Sequence, residues 1–276
     1  MAAELSGVEG VASFYEGLAQ VLNNVWGENL HYGYWEDDAD TSTVEVATAR
    51  LNDLMVTLLD PAPGAAILDI GCGVGKPALQ LVAARDVRVT GIAIADVEVE
   101  QANERAKEAG RSDVATFRNA DVTDLPFEDG SFDGAWALES LLHVPDRNRA
   151  LAETARVLRP GGRLVIADTV ERPPMSPEGR KVLDEIRAAY HVSPYATADE
   201  YAGLLAGNGF VDVEIRDISD KVVRTGSIMA DAVAARREEL ARIDGPEPVD
   251  QYIDLMRRAA ASPDIGYLVI VATRGA

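Results

Sequence analysis

Residues 68–78 read Leu68-Asp69-Ile70-Gly71-Cys72-Gly73-Val74-Gly75-Lys76-Pro77-Ala78: an apolar run enters a turn with glycine at every second position, and Pro77 stands where it opens a helix. Glycine in such a turn lets a ligand lie against bare backbone. A phosphate-binding P-loop is excluded, since it needs glycine where Ile70 stands and Ser or Thr where Pro77 stands. The dinucleotide fingerprint needs its third glycine at the position of Lys76, so a nicotinamide-dependent oxidoreductase is the weaker reading. Asp69 can attract an ammonium while backbone N–H groups of the turn meet a carboxylate. That combination suits a ligand with an amino-acid end and no phosphate, and S-adenosylmethionine is such a ligand.

Outward from the turn, short β-branched runs alternate with stretches of helical period. The runs are AAILDI (65–70), VRVTGIAI (87–94), VATFRN (114–119), FDGAWAL (132–138) and RLVIAD (163–168), the pattern of parallel strands joined by crossover helices. Leu51, Leu54, Met55, Leu58 and Leu59 predict an amphipathic helix before the first strand, and Asp146 predicts an N-cap. Pro160, Gly161 and Gly162 read as a turn before the fifth strand. After residue 170 the pattern predicts helices to about Tyr190, at 197–208, at about 222–243 and at 247–261, with strands at 210–217 and at GYLVIVAT (266–273). One domain over 1–276 is expected, with N-terminal helices and an aromatic lid in 1–60, a ligand-binding core in 61–170, and lid helices with the last two strands in 171–276.

Composition narrows the partners. The chain has 276 residues with 26 basic against 46 acidic side chains and a formal charge of −20, which gives no electrostatic reason to approach nucleic acid or an anionic membrane. Apolar runs fall short of the roughly 18 residues that span a bilayer, and MAAELSGVEG lacks the basic and apolar regions of a secretion signal. A cytoplasmic protein is expected, its oligomeric state open. The single Cys72 and the scattered His31, His143 and His191 give no metal-ligand spacing, and Cys72 reads as a packing residue.

Four stretches, LDIGCGVGKPA (68–78), NADVTDLPFEDGSFD (119–133), ALESLLHVPD (137–146) and VLRPGGRLVIAD (157–168), stand in the order and spacing of the class I S-adenosylmethionine-dependent methyltransferases, which the chain resembles over most of its length. WGENLHYGYWED (26–37) and the VRVTGIAI…QAN segment resemble a narrower group, the actinobacterial natural-product methyltransferases that include the rebeccamycin sugar O-methyltransferase. The resemblance implies an open α/β, seven-stranded Rossmann-like sheet with the last strand antiparallel between the fifth and sixth. It implies that Asp69 and the Gly71, Gly73 and Gly75 turn approach the methionine end, with Tyr15 beside the cofactor carboxylate and the aromatic segment that ends at Trp35 closing over it. Asp121 would accept from the adenine amino group beside the Val122 amide; Lys76, Ala137 and Glu139 complete the expected cofactor set. Where the narrower group has serine and glutamine after the second strand, this chain has Ala95 and Glu98, so Glu98 is assigned to the ribose hydroxyls.

Methyl transfer from a sulfonium is an in-line displacement, so collinear positioning in a dry cavity supplies much of the acceleration. A hydroxyl acceptor also needs its proton taken, whereas an amine attacks from its neutral form. The resembling sugar O-methyltransferases carry two adjacent histidines after the fourth strand, and here the pair reads Leu142-His143. His143, His31 and Asp168 are the expected catalytic residues, with His191 a further histidine to place. A small-molecule acceptor, oxygen or nitrogen, is expected; the alternative is a protein that binds S-adenosylmethionine or a partner without turnover.

Overall fold

In the computed structural model, which describes residues 31–190, 192–238 and 246–276, the run before the glycine turn forms β1 (Ala65–Ile70). Ahead of it, α1 (Val44–Leu59) starts at Thr43, whose hydroxyl accepts from the Val46 N–H, and stops at Asp60 in the left-handed region. The turn leads into α2 (Lys76–Ala84) with proline in its first turn, then β2 (Val87–Ala93), α3 (Asp96–Glu108), β3 (Ala115–Asn119) and β4 (Phe132–Leu138). Acidic residues begin α3 and Arg105 and Lys107 end it, in the sense that the helix dipole favours. A single 3₁₀ turn at Leu141–His143 precedes α4 (Arg147–Val157), which Asp146 caps through the Arg149 N–H as its sequence position predicts.

After β5 (Leu158–Glu171) come α5 (Pro177–Tyr190), α6 (Ala198–Gly207), β6 (Phe210–Asp217), α7 (Ser219–Val222), α8 (Arg224–Ala235), α9 (Pro246–Ala261) and β7 (Ile265–Arg274). The sheet order is β3-β2-β1-β4-β5-β7-β6, with β7 antiparallel to both neighbours. Strand alternation divides the core. Ile67, Val165 and Ala167 face a cluster with Leu51, Met55 and Trp136, while Leu68, Ile70, Leu164 and Ile166 face one with Leu151 and Tyr201. Both faces of the central strands are thus buried, at roughly 1.5–3 kcal/mol for each large aliphatic side chain, which accounts for their near-continuous apolar runs. The strand order reverses between β2-β1 and β4-β5, and the crevice of such a sheet opens there, at the carboxyl ends.

Two boundaries differ from the sequence expectation. Of the helix expected over about 222–243, α8 covers Arg224–Ala235, a turn follows at Arg236 with helix again at 237–238, and residues 239–245 lie outside the described residues. The fifth strand begins at Leu158, so Pro160-Gly161-Gly162 form an irregularity within it: Phe132 pairs with Leu158 but Gly134 with Arg163. A satellite cluster of Val182, Val233, Ile253 and Met256 joins α5, α8 and α9 beyond the strand ends.

Candidate active site

A crevice of about 340 Å³ opens at the carboxyl ends of β1, β2 and β4, lined among others by Asp69, Gly71, Gly73, Glu98, Asp121 and Val122. Gly71 has φ 72° and a side chain there would put its Cβ 2.2 Å from Ser140 Cβ. The Gly71 and Cys72 N–H groups both donate to the Ile92 carbonyl, and Gly75 N–H to that of Cys72. Those three amides are therefore spent within the protein, which leaves the Gly73 and Val74 N–H groups as the ones of the turn that can meet a carboxylate. Asp121 Oδ1 is held by the Thr123 N–H and hydroxyl, each at 2.8 Å, so the loop after β3 is fixed by its own side chain.

Asp69 is buried, and its Oδ2 has no hydrogen-bond partner among the described residues. Burial pushes its carboxyl up to about 7, partly offset by the Trp136 indole. An orphaned carboxylate oxygen at the edge of a crevice fits an ammonium, and with the acceptors Glu98 and Asp121 lining the same crevice beside Val122 the residues present suit S-adenosylmethionine. Pairing with an ammonium requires the ionised form, so below pH 7 binding must expel a proton. The affinity for S-adenosylhomocysteine is therefore expected to rise from pH 6 to pH 8, approaching tenfold per unit at the acid end, and Asp69→Asn should flatten that rise. Isothermal titration in buffers of different ionisation heat reads the released proton directly.

A second cavity, of about 650 Å³, lies beyond the first, and His31, Glu139 and His143 line both. Its walls are mainly apolar and aromatic, including Leu142, Ile186, Tyr190, Met229, Met256 and Tyr267. The 3₁₀ turn after β4 carries Leu142 and His143 into the junction. Glu139, at φ 49°, turns its carboxyl so that Oε1 accepts from the Tyr32 N–H and the Tyr267 hydroxyl, each at 2.7 Å. The Tyr32 and Tyr267 rings pack with centroids 5.1 Å apart. Gly33 N–H donates to Thr225 Oγ1 and Trp35 N–H to the Lys221 carbonyl, which fastens residues 31–35 to α7 and α8. Burial pushes Glu139 up to about 8 and both His31 and His143 down to about 4, so the two imidazoles are neutral at pH 7.

Several expected site residues stand elsewhere. Trp35 is buried with its indole N–H donated to the Ser42 carbonyl, and it lines neither cavity. Gly75 lines neither: a Cβ there would stand 2.9 Å from both the Ala102 and Phe117 side chains, so glycine lets the turn pack closely against them. Lys76 also lies off both cavities, although its charge reaches His31, and Ala137 is in the core one residue before the lining begins at Leu138. Asp168 lines neither cavity; it is buried on the opposite face of β5, where Tyr201 donates its hydroxyl to Oδ2 and the Thr169 N–H reaches Oδ1. Its bond to Tyr201 ties α6 to the sheet. Tyr15 and His191 lie outside the described residues. Ser140, Thr169 and Tyr267 line the cavities without having been expected there.

Tyr201→Phe leaves Asp168 buried without its hydroxyl donor. Burial raises Asp168 to about 7, so its folded form holds a proton between its unfolded value and that point, and removing the donor hurts the ionised form most. Urea melts should show a loss of about 1.5–3 kcal/mol at pH 8 and a smaller one at pH 5.

Among the described residues no group of three or more His, Cys, Asp or Glu could hold a metal ion, and no helix is long and apolar enough to cross a membrane.

Comparison with known proteins gives a match over residues 68–166 to the family described as "Methyltransferase domain". The chain is 37% identical over 262 residues to a 27-O-demethylrifamycin SV methyltransferase of Amycolatopsis mediterranei, covering 94% of this chain and 95% of that one. It is 40% identical over 211 residues to the O-methyltransferase rstn1 of Aspergillus nomiae, covering 76% and 92%. Among solved structures, the [4+2]-cyclase SpnF superimposes with a TM-score of 0.84 at 29% identity, over 99% of this chain and 98% of that one.

Proposed function

The chain belongs to the class I S-adenosylmethionine-dependent methyltransferases, and on that premise we propose that it methylates a hydroxyl oxygen of a small, largely apolar natural product. One observation carries this reading: the second cavity meets the cofactor crevice only where His31, Glu139 and His143 line both. S-adenosylmethionine supplies an electrophilic methyl group on a sulfonium.

The second cavity's volume of about 650 Å³ fits a drug-sized molecule, and its Leu, Ile, Met and Tyr walls favour an apolar body. Holding such a body against the junction supplies up to about 7–11 kcal/mol of the barrier through positioning. Neutral imidazoles at the junction suit a hydroxyl, whose proton must be removed, and proton removal is worth about 10²–10⁴-fold. The relatives named for O-methylation point the same way.

The test offers the enzyme S-adenosylmethionine carrying a trideuterated methyl group with a panel of hydroxylated polyketides and terpenoids and a matched panel of amines. Labelled ethers read by mass spectrometry are the expected products. Labelled amines alone would overturn the choice of oxygen. Conversion of an acceptor without gain of label, as a cyclase on this fold would give, would overturn methyl transfer as its reaction.

A further inference from the structure

We propose that His31 is the proton acceptor of the reaction, acting through Nε2, a role that rests on the methyltransferase reading above. The geometry fixes its tautomer. His31 Nδ1 lies 2.8 Å from the Tyr32 carbonyl oxygen, and a carbonyl can only accept, so Nδ1 carries the hydrogen and Nε2 carries the lone pair. Nε2 is buried with no hydrogen-bond partner among the described residues, although the ring lines both cavities. A buried lone pair left without a donor is an unmet acceptor, and a substrate hydroxyl entering from the second cavity meets it.

The ring is also held. Tyr32, whose carbonyl takes the Nδ1 hydrogen, is itself pinned by its N–H on Glu139 Oε1 and by its ring against Tyr267, and Gly33 is tied to Thr225. His31 is therefore oriented from behind by backbone that three separate parts of the chain fasten: Glu139 after β4, Tyr267 in β7 and Thr225 in α8. In the step, the acceptor oxygen forms a bond to the methyl carbon as the carbon–sulfur bond breaks, its electron pair remaining on sulfur. The hydroxyl proton passes to Nε2, and the resulting imidazolium keeps its Nδ1 hydrogen on the Tyr32 carbonyl. The positive charge lost at sulfur reappears on His31, so the net charge of the cavity is unchanged. Burial disfavours that imidazolium in the resting protein, and the loss of the neighbouring sulfonium charge relieves part of that cost at the moment of transfer.

Two measurements test it. The first needs no acceptor: long-range proton–nitrogen correlation on the full chain labelled with nitrogen-15 at its three histidines, each assigned by single substitution, at pH 7. His31 should show a protonated Nδ1 and an unprotonated Nε2; the reverse tautomer would overturn the proposal. The second compares His31→Asn, whose side-chain amide keeps a donor for Tyr32 but has no Nε2, with His143→Gln. The expectation for His31→Asn is a fall in kcat of about 100-fold or more with KM and the Kd of S-adenosylhomocysteine changed less than threefold. Unchanged kcat in His31→Asn, or the same fall in His143→Gln alone, sinks the proposal. If the wild type fails to bind S-adenosylhomocysteine, the methyltransferase reading falls instead, and the tautomer experiment still reports on His31.

Discussion

Gly71→Val is expected to abolish measurable S-adenosylhomocysteine binding, at least a 100-fold loss by isothermal titration, and to lower the melting temperature as well. Gly71 has φ 72°, a region in which a side chain costs about 1–2 kcal/mol even in open space. The space is not open: a Cβ would stand 2.2 Å from Ser140 Cβ and 3.0 Å from its Oγ. Ser140 cannot yield, because its hydroxyl is bound to the Ile70 carbonyl at 2.6 Å and its neighbours run directly into the turn that carries His143. Relief must come from moving the 71–75 turn away from β4, which opens the crevice between the two strands that define it. Gly73→Ala is the internal comparison. Its φ is 49°, but nothing lies within 4 Å of the added Cβ, so only the backbone term of about 1–2 kcal/mol applies and affinity should fall about tenfold. Retention of affinity within tenfold in Gly71→Val would remove the tight approach of Gly71 to Ser140 as the basis of the crevice.

The contrast between those two glycines shows what sequence can carry. Alternating glycines after an apolar strand mark the ligand turn, and the alternation of strand and helix marks a parallel sheet, while the place of the antiparallel last strand is what the family resemblance implies; none of these needs a side-chain position. What each glycine does is a tertiary fact. Gly71 clears Ser140, 69 residues later, and Gly75 clears Phe117 and Ala102, so the three identical letters serve one close strand approach, one open edge and one packing contact. Strand parity explains the misplaced residues. Asp168 alternates with Leu164 and Ile166 and so shares their face, while Thr169, one residue on, reaches the second cavity. The alternation is visible in RLVIAD, but which face of β5 lines the second cavity depends on α5, α8 and α9, which come later in the chain. Trp35 was misleading for another reason: an aromatic near a glycine is chemically suited to a lid, and only the packing of Gly33, which brings the backbone against the Trp35 ring, shows it to be a core residue. Glu139 and His31 were legible as polar residues in motifs, but their link through Tyr32, which bonds Glu139 across 107 residues, was not.

That meeting makes Glu139→Leu the second large effect, a fall in kcat of at least 100-fold with a clear loss of stability. Glu139 Oε1 is the acceptor for both the Tyr32 N–H and the buried Tyr267 hydroxyl, and leucine leaves both donors orphaned at about 1–3 kcal/mol each. Backbone strain does not contribute, since glutamate and leucine pay a similar cost at φ 49°. The kinetic loss follows from position: Tyr32 freed from Glu139 no longer presents its carbonyl to His31 Nδ1, and the ring that lines both cavities turns away. Glu139→Gln separates shape from charge. Burial pushes the Glu139 carboxyl up to about 8, so at pH 7 the folded protein holds it mainly protonated, and a glutamine whose oxygen takes the place of Oε1 imitates that form. A carboxyl raised in the folded state contributes stability that is greatest below its unfolded value and declines as the pH climbs through about 8, so Glu139→Gln should remove part of the decline in melting temperature between pH 5 and pH 8 while keeping kcat within about tenfold. If glutamine is as damaging as leucine, the negative charge itself is required, and Glu139 acts on the reacting groups rather than through Tyr32. If leucine leaves kcat intact, the junction of the two cavities is not where the methyl group crosses.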